Sequence, residues 1–143
     1  MQDLNIALVQ TSLAWEDVAG NLAMLDRKLE AVGKDTDLVL LPEMFPTGFS
    51  MNTAACAEPL SGPAWEWLRG KAREKGCVIA GSILTGENGK YYNRFAWMRP
   101  DGTHTGYNKR HLFSMGGEHH TMTAGSMPVI VTKGVEGMPA GLL

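Results

Sequence analysis

At 143 residues the chain has the length of one ordinary domain, long enough to bury roughly 70% of the surface its unfolded form exposes. Thirteen basic residues against fifteen acidic ones leave a formal charge of −2. With no block of like charge, composition points to neither nucleic acid nor a membrane surface as partner. Two cysteines, Cys56 and Cys77, are too few for a disulfide framework, and no apolar run approaches the ~18 residues of a membrane span.

The opening "MQDLNIALVQ" carries an acid early and lacks the basic-then-apolar order of a signal peptide, so a cytoplasmic protein is the simplest expectation. Within it "LNIALVQ" reads as a short strand. The segment "EDVAGNLAMLDRKLEAVGK" places Leu22, Leu25, Leu29 and Val32 at helical spacing, with Gly33 as a left-handed terminus. "TDLVLLPE" is a second, buried strand. Strand, helix and strand make a parallel βαβ unit with a right-handed crossover.

A loop containing Cys56 leads to "SGPAWEWLRGKAREKG", where Pro63 suits a first helical turn, Ser61 or Gly62 could cap it, and Gly76 ends it. "CVIAGSIL" is a third buried strand. After it the rhythm changes, because "ENGK" and "PDGT" are the turn residues of antiparallel hairpins joining Leu84, "YYNRFAWMRP" and "HTGYNKR". In the middle segment Tyr92, Arg94, Ala96 and Met98 alternate with Asn93, Phe95, Trp97 and Arg99, as in a strand with two different faces. "HLFSMGGEHHTMTAGS" has neither period and reads as a long loop before a last strand, "MPVIV"; loops of that length in compact domains are often functional.

Glu43 stands where the second strand runs into a turn built from Pro42, Pro46 and Gly48, in "LLPEMFPTGFS". A carboxylate at a strand exit is usually solvated, yet it is also how α/β folds place a reactive group at a sheet edge. Lys109 ends the last hairpin strand in "GYNKRHLF", and Glu118 sits in the Gly-rich "MGGEHH".

Taken together, "IALVQ", "LLPEMFPTGF", "YYNRFAWMRPDG", "YNKRHLF" and "GGEHHTMTAG" resemble the nitrilase or carbon-nitrogen hydrolase superfamily, over nearly the whole chain to about residue 131. "PEMFPTGFSMN" and "KRHLFSMGGEH" are most similar to its omega-amidase branch, enzymes that hydrolyse the terminal amide of short α-keto acid amides such as 2-oxoglutaramate. The resemblance implies an α/β fold: the N-terminal half of an αββα sandwich, a mixed sheet with outer helices. It implies a small-molecule amide substrate, no cofactor, and homo-oligomers in the full-length family.

By the same resemblance Glu43 is the general base that takes a thiol proton and later activates water, a role that burial favours by raising a carboxyl toward neutrality. Lys109 stabilises the oxyanion and Glu118 holds the lysine. Asn93 and Phe45 are weaker candidates for lining the pocket. Arg110 and His111 adjoin the lysine, but strand alternation turns them elsewhere, so they are read as structural.

The family nucleophile is a cysteine on a later strand, in a Cys-Tyr-Asp-like setting beyond the second Glu, and none stands there in this chain. Cys56 and Cys77 both precede Lys109 and are read as inert structural thiols. The segment "TKGVEGMPAGLL", residues 132–143, departs from the family pattern. Half a sandwich would leave an apolar sheet face open, with self-association expected. An inactive fragment or pseudoenzyme that pairs through that face is the alternative to an amidase. Glu118, His119 and His120 offer a metal-binding reading, disfavoured because adjacent histidines on extended chain point apart and no third ligand is regularly spaced; no metal is expected.

Overall fold

The computed structural model describes residues 3–131. One five-stranded mixed sheet organises them, with strands β1 (Ile6–Leu8), β2 (Leu38–Leu40), β3 (Val78–Glu87), β4 (Lys90–Met98) and β5 (His104–Asn108) lying side by side in chain order. The first three are parallel, and β4 and β5 turn back antiparallel. Helix α1 (Val18–Leu29) connects β1 to β2, and a one-turn helix α2 (Thr53–Cys56) with α3 (Pro63–Lys75) connects β2 to β3. No helix among the described residues is long and apolar enough to cross a membrane.

Local chemistry accounts for most element ends. Asp17 caps α1 by accepting from the Gly20 N–H, 2.9 Å away. The helix is shorter than its apolar spacing predicts, because after Leu29 the bonds tighten to Ala31 N–Lys28 O and Val32 N–Leu29 O. Gly33 is not in the left-handed region expected of it. Gly76 does end α3 there, at φ 67°. At the start of α3 the choice falls on Gly62, whose missing side chain leaves the cap to another residue. The buried Glu58 carboxylate accepts from Ala64 N and Trp65 N at 3.0 and 3.1 Å. Asn88 and Gly89, at φ 51° and 73°, make the β3–β4 turn that the "NG" pair predicts.

Strand register assigns the two sheet faces. On one side Val39, Ile79, Ile83, Ala96 and Met98 pack with Leu25 and Leu29 of α1 and with Trp65, Leu68 and Ala72 of α3. On the other, Leu38, Val78, Ala80 and Trp97 form a second apolar layer flanked by Leu40 and Phe95. Ile6 and Leu8 share this second face through their pairing with Leu38 and Leu40, and Leu8 stays 74% exposed.

Two stretches differ from expectation. The predicted long loop contains a 3-10 turn at Ser114–Gly116 and a one-turn helix α4 (Glu118–Thr121), joined through Gly117 at φ 77°. The strand expected over residues 127–131 pairs with no ladder. Val131 instead lies against Leu38, Val78, Ala80 and Trp97, over the middle of the second face rather than along an edge. The atypical segment 132–143 lies outside the described residues.

Candidate active site

The second sheet face carries Ser82, Asn93 and Phe95 toward the end where β2 exits, and Tyr107 reaches the same place from β5. The turn after β2 is anchored there. Met44 N donates to Ser82 Oγ at 2.8 Å, and Phe45 N to Ser82 O at 3.2 Å. From the other side Asn21 Nδ2 donates to Pro46 O at 2.8 Å. Met44 takes φ 48°, a conformation costly for a non-glycine residue, so this turn is held by its surroundings and not by local preference.

That anchoring sets Glu43 beside Lys109. Glu43 Oε1 accepts from Lys109 Nζ and from Asn93 Nδ2, both at 2.8 Å. Glu118 closes the group. Its Oε2 lies 3.0 Å from Lys109 Nζ and its Oε1 accepts from Asn93 Nδ2 at 3.0 Å. The backbone N–H of Phe113 adds a bond of 2.7 Å to Glu118 Oε2. The Phe49 ring lies 5.1 Å from Nζ, a cation–π contact. Lys109 is itself fixed through its backbone, its N–H donating to Asn93 O at 2.9 Å.

Two carboxylates share one ammonium, and burial grades them. Glu118 is fully buried, Lys109 is mostly buried, and the Glu43 side chain is 49% exposed. Burial pushes the Glu118 carboxyl up, but the Phe113 N–H, the Asn93 amide and Lys109 together outweigh it and hold the group below its ordinary value. For Lys109 burial acts downward, and the bonds to Glu43 and Glu118 more than reverse it, keeping the ammonium charged. Glu118 is thus compensated on both oxygens, as a buried carboxylate must be.

The Glu43–Lys109 pair divides two cavities. One, of about 370 Å³, is lined by Leu41, Ser82, Asn93, Phe95 and Tyr107 besides the pair; the other, of about 510 Å³, by Phe49, His111, Leu112 and Phe113. Glu43 Oε2 has no hydrogen bond with any described residue, and of the three Lys109 N–H donors the described residues engage two. A free acceptor and a free cationic donor therefore lie side by side at open space.

The structure brings Glu43, Asn93, Lys109 and Glu118 together, but not Phe45. Its ring is wholly buried on the helix side, 5.7 Å from the Trp67 ring and tight against Gly81, so it cannot line a pocket. The burial expected of Glu43 is also absent among the described residues.

His111, read from sequence as structural, lines the larger cavity, because β5 ends at Asn108 and alternation no longer applies beyond it; Arg110 is exposed and lines neither. Tyr107 was legible but missed, being two residues before Lys109 on the strand face that Phe95 also shares. His119 and His120 do not point apart, since α4 sets their ring centroids 3.7 Å from each other. Neither cysteine lines either of the two cavities. Burial raises both thiols, Cys77 inside the core and Cys56 packed against the cluster of Met44, Leu84 and Met122.

Comparison with known proteins follows this geometry. A family model described as carbon-nitrogen hydrolase matches residues 5–143. The omega-amidase YafV of Yersinia enterocolitica is 40% identical over 92% of this chain and 50% of its own length. The 2-oxoglutaramate amidase of Bacillus subtilis is 28% identical over 85% of this chain and 48% of its own. The solved structure of XC1258 from Xanthomonas campestris, a CN-hydrolase superfamily protein with an arsenic adduct in the active site, superposes with a TM-score of 0.89 at 41% identity, covering 92% of this chain and 50% of that one. The chain spans about half the length of the curated relatives it matches. Its mixed sheet with helices matches the nitrilase-superfamily fold.

Proposed function

Because the chain belongs to the carbon-nitrogen hydrolase family, we propose that it supplies the base-and-lysine half of an amidase site acting on the terminal amide of short α-keto acid amides. The observation that carries this reading is the Glu43–Lys109–Glu118 group, bridged by Asn93 and open to two cavities. The omega-amidase relatives support the substrate class.

In this reading Glu43 Oε2, without a hydrogen-bond partner among the described residues, takes a proton from an attacking thiol and afterwards from water. The unused Lys109 N–H meets the oxygen of the tetrahedral intermediate as its charge develops. Glu118 keeps the ammonium aimed and neutralised without competing for the proton, since its folded pKa lies below the ordinary carboxyl value. The nucleophilic cysteine belongs to the half of the family length that this chain does not span. Cys56 and Cys77 do not serve, as their raised thiol pKa values and their places away from both cavities indicate.

The test is ammonia release from a short α-keto acid amide, measured for this chain, for a version extended through the missing half, and for the extended version carrying Glu43→Gln. Turnover is expected only from the second, because groups that act as a unit lose nearly everything when one is removed. Turnover by the 143-residue chain that disappears on mutating Cys56 or Cys77 would make one of those thiols the nucleophile.

A further inference from the structure

Lys109 follows directly on the end of β5, and its position in the site depends on what holds the backbone there. One anchor is the N–H bond to Asn93 O already described. The other comes from a distant strap, residues 122–125, which leaves α4 and runs back across the hairpin. Met122 is buried with Met44 and Leu84, Thr123 N donates to Tyr91 O at 2.7 Å, and Gly125 N donates to Lys109 O at 2.9 Å. Lys109 is thus gripped through both of its backbone polar groups.

The strap can come this close only because residue 125 has no side chain. A Cβ at Gly125 would lie 2.1 Å from Asn108 O and 2.8 Å from Asn108 C. Both are backbone atoms of the residue preceding the lysine, so no rotamer change relieves the contact. Gly125 does not have the positive φ that would explain a glycine by conformation. Space is what the position requires, and the atoms that demand it carry Lys109.

We propose that Gly125 is a positioning residue for Lys109: through its N–H and its missing side chain it sets the distance of the ammonium from Glu43 and Glu118. This rests on the reading of Lys109 as the group that meets the oxyanion, and it makes the 122–125 strap part of the machinery although none of its side chains reaches the cavities. The shift that a Cβ would force on the Asn108 backbone moves the base of the Lys109 side chain, whose ammonium makes the bonds of 2.8 and 3.0 Å.

The experiment compares the parent chain, Gly125→Ala and Gly70→Ala by NMR titration of the Lys109 ε-methylene, with thermal melting alongside. Gly70 is the control, because a Cβ there meets nothing within 4 Å. The expected result is a Lys109 titration raised in the parent and in Gly70→Ala, and shifted down toward or below the ordinary lysine range in a Gly125→Ala protein that still melts cooperatively. A folded Gly125→Ala protein whose Lys109 titrates like the parent overturns the proposal. Should Gly125→Ala not fold, amide exchange in the parent decides: protection of the Gly125 N–H matching that of Lys109 supports the grip, and exchange at the open-chain rate refutes it. Neither readout uses turnover, so a failure of the amidase reading would be recognised separately.

Discussion

Glu118 is the residue whose removal tells most about the site. Fully buried, it accepts from Phe113, Asn93 and Lys109, and its folded pKa is depressed below the ordinary carboxyl value. A depressed acid contributes stability that is present above its unfolded value and lost as pH falls through the folded one. The melting temperature is therefore expected to drop through that acidic window, and Glu118→Gln, already destabilised at neutral pH, is expected to lose most of the drop. Glu58 has the opposite sign, raised chiefly by burial and stabilising toward low pH, but it is common to both proteins and cancels in the difference. Parallel acid profiles for the two would show that the Glu118 carboxylate is not the ionised partner of Lys109. At this scale the sequence was legible in which motif residues meet, as Glu43, Asn93, Lys109 and Glu118 do. It was not legible at Phe45, which follows the left-handed Met44 in the turn and is buried toward the helices, or at His111, which lies beyond the end of β5 where strand alternation no longer applies.

At the scale of elements, the Asn88–Gly89 hairpin and the Gly76 helix end formed as read, whereas Gly33 did not take the left-handed conformation. The misread elements are those made by long-range contacts. Helices α2 and α4 are one turn each, too short to persist on propensity, and the apolar run at 127–131 serves packing on the sheet face instead of pairing. Helix α3 illustrates the same dependence, since its N-terminal donors are satisfied from outside by Glu58, which also bridges to Thr85 of β3 through its backbone. Glu58→Ala is expected to cost about 1–2 kcal/mol in urea denaturation, the range for losing a helix cap, with Glu58→Gln recovering part of it. A loss within a few tenths, on the order expected of a surface substitution, would show that water replaces the cap.

For the molecule as a whole the two sheet faces are unequal. One is covered by α1 and α3; on the other, Leu38 and Trp97 are buried with Val131 packed against their cluster, while Ile6 and Leu8 stay 50% and 74% exposed and leave an apolar face open at the β1 edge. An apolar face of that kind drives association, and light scattering is expected to show species larger than one chain. Leu8→Glu, at a largely exposed position on that face, is expected to reduce them; a monodisperse monomer for the parent chain would exclude the idea. The same face ends at the charged group, and there the bonding forms a closed circuit. Asn93 bridges Glu43 to Glu118 by one route and Lys109 bridges them by another. Four chain segments, from the β2 exit, β4, the β5 exit and α4, meet in this loop of bonds. A single broken link still leaves a continuous path between the two carboxylates, so their spacing survives any one fluctuation and is surrendered only when both routes open together.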